Sequence, residues 1–518
     1  MIVNCKYVKC SLNRVCFAVS LAILSGCTVG PNFEQPTDHF QPVTARSDYE
    51  LNMPQSTAAN EVSSSQWWQV FNDPILMQLQ SQAQTGNLDL QVASNRIAQN
   101  RAKLGITDAD KLPSLSAHAS YVREGNSENG KLVALGAPAT AENFFMSGFD
   151  ASWEIDLWGR NKRLSERATA QLEATIYDRE AVRVSLAAEV AKTYFLLRST
   201  QTQIEIANQK ELLAERVVSL SMSREKNGVG TRFDTISAQS QLANSKTVLP
   251  ELQQRAHAQM NALALLLGEQ PRALESLLTT PTQQLQLPQG MFTSIPSNLA
   301  QHRPDILKAE ANLHSAVASI GAAKANFYPS ISLVGSVGLE AFDGEDLASW
   351  DSRAFSIGPK VYLPLFQGGR LTQQLELSKE KQKNAALGYR KVVLTAWHEV
   401  DNAIDGWLAQ QNHHQKLSIA NEYAQLALHT IDRSYQQGAA DNLSVLAELA
   451  KLLDSQSRLN YSATNGALAV INVYKSLGGG WDNSLLDDNN NVDLNQAESN
   501  QVDPNKVDTN KVAMQEVK

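Results

Sequence analysis

The chain carries an internal duplication, and this feature constrains its fold more than any other. Short sequence markers from the first half return in the same order in the second half. The marker pairs are Leu112–Leu115 and Tyr328–Ile331, Gly159-Arg160 and Gly369-Arg370, Asn227–Gly230 and Gln437–Ala440, and Leu267-Gly268 and Leu477-Gly478. The offset falls from 216 to 210 after the first pair, so a connection inside that interval is six residues longer in the first copy. Two long units over roughly 88–268 and 304–478 indicate a tandem duplication and not a solenoid of short repeats.

The first residues are typical of an export leader. Three basic residues precede an apolar stretch over 15–24 that is too short to cross a bilayer as a helix. The stretch ends in Leu24-Ser25-Gly26-Cys27, which resembles the lipobox of bacterial lipoproteins. The resemblance implies cleavage before Cys27, acylation of that residue and stable anchoring to lipid, and Thr28 after it favours sorting to the outer membrane. A plain secretory signal with a chance cysteine is the alternative.

Cysteine use and charge narrow the class of protein. Cys5, Cys10 and Cys16 lie in the leader, so Cys27 is the only cysteine of the mature chain, and neither a disulfide nor a thiolate metal site is expected. The formal net charge is −8 for the whole chain and −11 without the leader, whose charged residues are all basic. An acidic chain lacks the electrostatic footprint of nucleic-acid binding, so no nucleic-acid partner is expected.

Each copy contains a shorter helical run followed by two long ones, and a glycine-containing segment separates the two long runs. The helical runs are 88–111, 158–226, 232–267, 304–326, 370–436 and 442–477. The runs 158–226 and 370–436 would each be roughly 100 Å long at 1.5 Å per residue. Apolar residues form a heptad-like stripe at Leu186, Val190, Thr193, Leu197, Ile204 and Leu212. The pattern predicts long antiparallel coiled-coil hairpins with glycine at their turns.

Each copy also contains two segments in which apolar and polar residues alternate. The four segments are 114–123, 144–156, 330–340 and 354–364. An alternation over about 10 residues is typical of an outer-membrane barrel strand, and a half-buried sheet of a soluble protein gives the same pattern. Four strands cannot close a membrane barrel, which needs at least about 8, so a spanning chain must oligomerise. Twelve strands from three chains leave room for a pore, whereas the interior of an eight-stranded barrel is filled by side chains.

No constellation of residues predicts catalysis. The pair His413-His414 has no acid or cysteine pattern near it, and His398-Glu399 lacks the second histidine of a zinc helix motif. The glycines of 228–230 join two helices and follow no strand, so a phosphate loop is not indicated. We expect neither an enzyme nor a bound cofactor or metal.

Several motifs are similar to those of one protein family. They are Cys27–Phe33 with Pro36, Trp67–Leu76, Asp156–Arg160, Arg303–Asp305, Ala325–Pro329, Pro364–Arg370 and Tyr474–Trp481. Together they resemble the lipoprotein (OprM/NodT-type) branch of the TolC-like outer-membrane factors over residues 27–481. The resemblance implies a homotrimer with a twelve-stranded barrel in the outer membrane of a Gram-negative bacterium and a helical tunnel in the periplasm. A periplasmic adaptor (membrane fusion) protein would join it to an inner-membrane RND or ABC transporter.

The expected fold class is therefore mainly α with a membrane β-sheet, internally duplicated. The expected organisation is a signal peptide (1–26), a lipid-anchored tether (27–66), first helices (67–111), barrel strands 1 and 2 (112–157), helical hairpin 1 (158–268), a linker (269–303), a helix (304–329), barrel strands 3 and 4 (330–366), helical hairpin 2 (367–481) and an Asn/Asp-rich tail (482–518). The tail has almost no large apolar residues, which predicts disorder.

The resemblance also implies functional positions. Hairpin tips dock the adaptor in the family, and the tips here are Gly228, Val229, Gly230 and Thr231, and Gly438, Ala439, Ala440 and Asp441. The family's constriction is a Leu just past the second tip and an Asp one turn on. Leu443 matches the Leu, whereas Ala447 stands where the Asp is common and Glu448 is adjacent. An apolar gate at Leu443 with Glu448 nearby is the resulting hypothesis, and a coiled-coil core role for Leu443 is the alternative.

Two positions in each copy mark the change from strand to helix. Gly159 and Gly369 are interpreted as corner-forming residues, and Arg160 and Arg370 as caps or local partners. The function that the resemblance implies is an exit duct for drugs or other small molecules. An outer-membrane component of type I protein secretion shares the fold, and a periplasmic coiled-coil scaffold lipoprotein without a pore is the alternative from another class.

Overall fold

A computed structural model describes residues 28–36, 64–279 and 303–481. After helix α1 (Pro74–Gly86), the same order of elements occurs twice. The first copy contains α2 (Leu88–Ala109), β1 (Ser114–Glu124), β2 (Glu142–Ile155), α3 (Arg160–Lys226) and α4 (Arg232–Leu266). The second contains α5 (Pro304–Ala325), β3 (Ser330–Ala341), β4 (Arg353–Tyr362), α6 (Arg370–Gln436) and α7 (Asn442–Ser476). The predicted leader, Cys27, most of the tether and of the linker, and the tail lie outside the described residues.

The lengths of corresponding helices confirm the duplication. Helices α2 and α5 each contain 22 residues, α3 and α6 each contain 67, and α4 and α7 each contain 35. The connection 125–141 between β1 and β2 is six residues longer than the connection 342–352 between β3 and β4. The shift in marker offset therefore arises in the connections between strands, as the sequence predicted. Helix α4 continues through Pro250.

The start of α1 is fixed by a partly buried hydrogen-bond network. Asp73 caps the helix by accepting hydrogen bonds from the backbone N–H groups of Ile75 and Leu76, at 2.9 and 3.1 Å. Its second carboxylate oxygen accepts a 2.6 Å hydrogen bond from the hydroxyl of Tyr194 on α3. Burial and this hydrogen bond raise the pKa of Tyr194 to about 12. The cap thus ties α1 to the middle of α3, one of the two 67-residue helices.

Helix α3 lies at the centre of the protomer. It packs against α2, α4, α5 and α7, whereas α6 packs mainly against α5 and α7 among the described elements. The largest apolar cluster surrounds Trp67, Tyr194, Phe195 and Leu263, where α1 and the 3₁₀ segment before it meet α3, α4 and α7.

One position of the predicted heptad stripe on α3 was wrong. Leu186, Val190, Thr193 and Leu197 are buried and Ile204 is half-buried, but Leu212 is exposed. Ile206 and Leu213 are buried in its place, against Leu446 and Leu453 of α7. The buried stripe moves for two reasons. An α-helix has 3.6 residues per turn, so its buried face drifts against a seven-residue repeat. In addition, the apolar cluster shared with α1 and α4 ends, and beyond it α3 packs in a second cluster with α7.

The four strands form one antiparallel sheet in the order β1-β2-β3-β4. The central pairing of β2 with β3 joins the two copies, with Gly148 opposite Gly338. A β-carbon on Gly148 would lie 2.6 Å from the carbonyl oxygen of Val337, so this close approach of two strands requires glycine. In the part of the chain that the structure describes, no helix is both long and apolar enough to cross a membrane.

Candidate functional sites: sheet, corners and helical tips

The sheet has one apolar and one polar face, and each face runs across all four strands. Register places Ala117, Phe149, Val337 and Phe355 in one row and Leu115, Ala151, Gly335 and Ile357 in the next row of the same face. Phe149, Val337, Phe355 and Ile357 are all more than half exposed. None of the described elements covers this apolar face, which has the character of a lipid-facing surface.

The opposite face carries small and polar side chains. One row consists of Ser116, Asp150, Ser336 and Ser356. Asp150 pairs with Nδ1 of His118 at 2.9 Å, and the hydroxyls of Ser336 and Ser356 lie 2.9 Å apart. These polar groups form hydrogen bonds with one another and remain accessible, as expected for a face that meets water.

Both outer edges of the sheet are open. Strand β1 pairs only with β2, and β4 pairs only with β3, among the described residues. Each edge therefore presents a row of backbone N–H and C=O groups that needs a partner in any environment without water.

The strand-to-helix corners contain the predicted glycines in the left-handed conformation. The φ angles of Gly159 and Gly369 are 76° and 84°. Arg160 forms a two-pronged pair with Glu154 on β2, at 3.1 and 2.8 Å. Arg370 instead donates to the side chains of Gln367 and Gln374. The arginines thus make local contacts of different kinds at the two corners.

Residues 28–36, which composition assigned to the tether, are bound along the first corner. The N–H of Val29 donates to the carbonyl of Trp158 at 3.1 Å, and a β-carbon on Gly159 would lie 2.5 Å from the Thr28 Cγ2. Gly30 contacts Gly321 of α5 so closely that a β-carbon on Gly30 would lie 2.5 Å from the Gly321 Cα. We call residues 28–36 the strap.

A cluster of polar and aromatic groups holds the far end of the strap. Asn32 accepts a 2.6 Å hydrogen bond from Arg163 of α3, and Phe33 stacks on His314 of α5 at 4.4 Å between ring centroids. Glu166 pairs with both Arg163 and His314, at 2.8 and 3.0 Å. Burial raises the pKa of Glu166, but its hydrogen bonds with Arg163 and His314 outweigh that effect and lower it. Sequence reasoning missed these contacts because they depend on the packing of α3 against α5.

The two hairpin tips have the same backbone design. Gly228 and Gly438 adopt positive φ, at 69° and 76°, and end α3 and α6. Thr231 begins α4 with a capping box shared with Asp234, and Asp441 begins α7 by accepting from the N–H of Ser444 at 2.8 Å.

The tips differ in their side chains. Val229, Phe233 and Ile236 are exposed apolar residues at the first tip, whereas the second tip has Ala439 and Ala440. Arg224 lies close enough to both Asp234 and Asp441 to lower the pKa of each carboxyl, after the larger effect of their hydrogen bonds with Thr231 and Ser444. The structure therefore brings the two tips side by side.

Neither of the two gate candidates belongs to the apolar core that joins α3 to α7. Leu443 is half-buried one turn before Leu446, which is buried in that core. The carboxylate of Glu448 pairs with Lys451 at 2.9 Å on the same helix.

The motif Arg303–Asp305 forms a junction between three helices. Arg303 is buried and its guanidinium pairs with Asp305 at the start of α5 and with Glu399 of α6, each at 2.7 Å. It also donates a 2.7 Å hydrogen bond to the carbonyl of Ser476 at the end of α7. These pairs outweigh burial and raise the pKa of Arg303, so the residue is a permanent cation there.

In the described segments, no three His, Cys, Asp or Glu side chains are grouped so that they could hold a metal ion. The family model described as outer membrane efflux protein matches residues 79–269 and 295–479. The chain is 32% identical to the pyoverdine export outer membrane protein OpmQ of Pseudomonas aeruginosa, over 80% of this chain and 87% of that protein.

A second relative and a solved structure agree. The cation efflux system protein CusC of Escherichia coli is 30% identical, over 90% of this chain and 98% of that protein. The solved structure of the outer-membrane channel OprN superposes with a TM-score of 0.77 at 29% identity, and covers 88% of this chain and all of that one.

Proposed function

The chain belongs to the outer membrane efflux protein family, and we propose that it is the exit duct of a tripartite efflux pump, carrying drugs or other small molecules out of the cell. The protein is located in the cell outer membrane. The observation that carries the proposal is the sheet with an exposed apolar face and two open edges, joined to helices of 67 residues. The names of its relatives include pyoverdine export and cation efflux. They support an export duct but do not point to one particular substrate.

The proposed functional unit is a homotrimer. Because an open strand edge in lipid leaves backbone groups unsatisfied, β4 of one protomer must pair with β1 of the next. The strands alternate in direction, so this pairing is antiparallel like those within the protomer. Three copies of four strands give a twelve-stranded barrel, with outer-membrane lipid on the apolar face and water on the face of Asp150.

The tips are the proposed contact with a periplasmic adaptor (membrane fusion) protein, which links the duct to an inner-membrane RND or ABC transporter. The exposed Val229 and Phe233 lie at the end of α3 and the start of α4, a full helix length from the sheet. Apolar groups exposed at the end of a long hairpin support a docking role. In this proposal the chain performs no chemistry, and the transport energy comes from the inner-membrane partner.

Cys27 is the proposed acylation site. Thr28 lies against Gly159, at the point where β2 gives way to α3, and the strap holds it there. Thr28 therefore lies at the level where the sheet ends, which supports acylation of the residue that precedes it in the sequence.

Leu443 is the proposed gate, with Glu448 nearby. Its half-buried side chain lies at the start of α7, beside the second tip, and is free of the core that holds Leu446. We expect Leu443→Ala to increase leakage of antibiotics into cells and the open fraction of single channels. Leu459→Ala, farther along α7, is the matched control, and equal leakage from both variants would contradict the gate.

Single-channel recording of the purified mature protein in a planar bilayer, with its mass measured in detergent, tests the duct. We expect trimer mass and a small, mostly closed conductance. A monomer without conductance would overturn the duct and leave a lipid-anchored scaffold.

A further inference from the structure

The apolar face of the sheet contains a groove between two adjacent rows of side chains. The rows are Ala117, Phe149, Val337 and Phe355, and Ala119, Ser147, Leu339 and Arg353. The groove has a volume of about 760 Å³. Ala117 and Ser147 leave space because they are small, and the larger Phe149, Leu339 and Phe355 bound that space. Sites for small molecules usually have volumes of about 300–1,000 Å³, so the groove is large enough to hold a ligand.

The groove slopes across the sheet. At one end, Arg353 is the outermost residue of β4, next to the connection 342–352. At the other end, Ala117 lies three residues from the end of β1 that adjoins the helices. A ligand in the groove would therefore reach from the outer end of the sheet toward the helices, as a lipid reaches from its headgroup into a bilayer.

Two residues at the outer end of the groove hold a positive charge in place. The guanidinium carbon of Arg353 lies 5.0 Å from the centre of the Trp350 ring, and its Nη1 donates a 2.7 Å hydrogen bond to the Trp350 carbonyl. The Arg353 side chain is still 48% exposed. Because a guanidinium has five N–H donors, it can bind a further acceptor without losing these contacts.

The carboxylates near Arg353 neutralise it only weakly. An oxygen of Asp351 lies 3.9 Å from Nη1, and the Asp351 side chain is 98% exposed, so water screens the pair. Asp343, Glu345 and Asp346 of the same connection are exposed, and none of them forms an ion pair with Arg353 in the described part of the chain. The guanidinium is therefore able to pair with an anion from outside the chain.

We propose that the groove binds lipid A of the outer leaflet, with a phosphate of its headgroup on Arg353 and an acyl chain over Ala117 and Ser147. The inference rests on the proposed barrel, which turns the apolar face to lipid and the outer end of the sheet to the cell surface. Lipid A carries phosphates and acyl chains in one molecule, and arginine matches a phosphate with two parallel hydrogen bonds. Trp350 stands at the level where tryptophan is enriched in membrane proteins.

A second arginine on the same face provides a comparison. Arg123 lies near the outer end of β1, and alternation places it on the face of Ala117. It donates a 2.7 Å hydrogen bond to Oδ1 of Asn143 and does not line the groove. A general belt of basic and aromatic residues at the membrane surface would use both arginines alike, whereas the proposed site uses Arg353.

Lipid titration of the purified mature protein tests the site. The protein is stripped of lipid in detergent and titrated with lipid A that carries both phosphates, and bound lipids are counted by native mass spectrometry. The variants are Arg353→Gln, which removes the cation, and Ser147→Leu, which fills the groove without a change of charge. Arg123→Gln is the matched control. Lipid A without phosphates and phosphatidylglycerol are the comparison ligands.

We expect Arg353→Gln to weaken the binding of lipid A about tenfold, because charge-assisted hydrogen bonds are lost. Arg123→Gln should bind like the parent protein. Removal of the phosphates should weaken binding to the parent protein as much as Arg353→Gln does and should have no further effect on that variant, because the two groups act as a pair. Ser147→Leu should weaken the binding of both forms of lipid A.

Four results would overturn the proposal. They are equal binding of the two forms of lipid A by the parent protein, equal losses from Arg353→Gln and Arg123→Gln, undiminished binding by Ser147→Leu, and binding of phosphatidylglycerol as tight as that of lipid A. Mass and conductance of the same samples separate these failures from failure of the duct. A conducting trimer that fails the lipid tests keeps the duct and loses the site, whereas a monomer without conductance overturns both.

Discussion

Thr28 packs against Gly159 so closely that a β-carbon on the glycine would lie 2.5 Å from the threonine Cγ2. The counterpart Gly369 has the same left-handed backbone but open space around it. The two strand-to-helix corners have the same sequence, but a side chain at position 159 would collide with Thr28, whereas one at position 369 would have free space.

Alanine at each corner glycine should separate backbone strain from contact with the strap. Gly369→Ala should cost about 1–2 kcal/mol because of its positive φ. Gly159→Ala should cost more, because Thr28 must also move, and should expose residues 28–36 to protease. Thermal unfolding of the detergent-solubilised protein and limited proteolysis measure the two effects. Equal losses of stability with an intact strap would contradict the contact.

Arginine substitutions on adjacent residues of β4 should distinguish the two faces of the sheet. Ile357 lies on the apolar face and Ser356 on the polar face. Ile357→Arg should cost about 2–4 kcal/mol if its position is near the bilayer midplane, and Ser356→Arg should be tolerated. The yield of folded protein in the outer-membrane fraction measures this. Equal yields, or a lower yield for Ser356→Arg, would contradict the assignment of the faces.

Removal of Arg303 should destabilise the junction of α5, α6 and α7. Arg303→Ala deletes a buried cation that makes charge-assisted bonds with Asp305 and Glu399, and we expect a loss of about 2–3 kcal/mol. Arg255 pairs with Glu251 on the exposed surface of α4, so Arg255→Ala should cost at most about 1 kcal/mol. Denaturant unfolding of both variants makes the comparison, and similar midpoints would contradict a special role for Arg303.

Acid should loosen the tips only at low pH. Hydrogen bonds from the backbone and hydroxyl of Thr231 lower the pKa of Asp234, and those from the hydroxyl and backbone of Ser444 lower the pKa of Asp441. A lowered pKa means that the capping contribution is complete above the ordinary value of 3.8 and is lost as pH falls through the lowered value. Backbone amides in the first turns of α4 and α7 should keep their hydrogen-exchange protection from pH 7 to 5.

Asp441→Asn is the control for this pH dependence. Asparagine also caps helices but does not ionise, so α7 of the variant should show no loss of protection in acid. Loss of protection between pH 7 and 5 in the parent protein would contradict the assignment to these carboxylates.

Periodicity and duplication were enough to predict the helices and strands. The predicted run 370–436 coincides with α6, and the run 158–226 begins two residues before α3. These bounds were accessible because glycines with positive φ stand at both ends of each long helix, and strand alternation stops at the same places. Local chemistry determines such boundaries.

Contacts between segments that are distant in the sequence could not be predicted in the same way. Leu212 was assigned to the buried stripe because a heptad was continued beyond Ile204, whereas the partner of α3 changes there and Leu213 is buried instead. The strap was missed because Asn32 and Phe33 lie in a segment whose composition is typical of an extended tether. Their partners Arg163 and His314 come together only when α3 packs against α5. The sequence signal for the strap was a glycine at each of positions 30 and 321. It could be interpreted only once the fold showed that these two glycines are in contact.

The equality of helix lengths has an evolutionary consequence. One residue inserted in a hairpin arm would advance its tip by about 1.5 Å and rotate everything beyond it by about 100°. The two copies have diverged in composition, and yet α3 and α6, like α4 and α7, still agree in length to the residue. The side chains of the two copies have therefore diverged, whereas the lengths of their helices have not. The net difference in length lies between the connections 125–141 and 342–352. These connections are at the end of the sheet far from the hairpins, where an added residue shifts no helix relative to its neighbour.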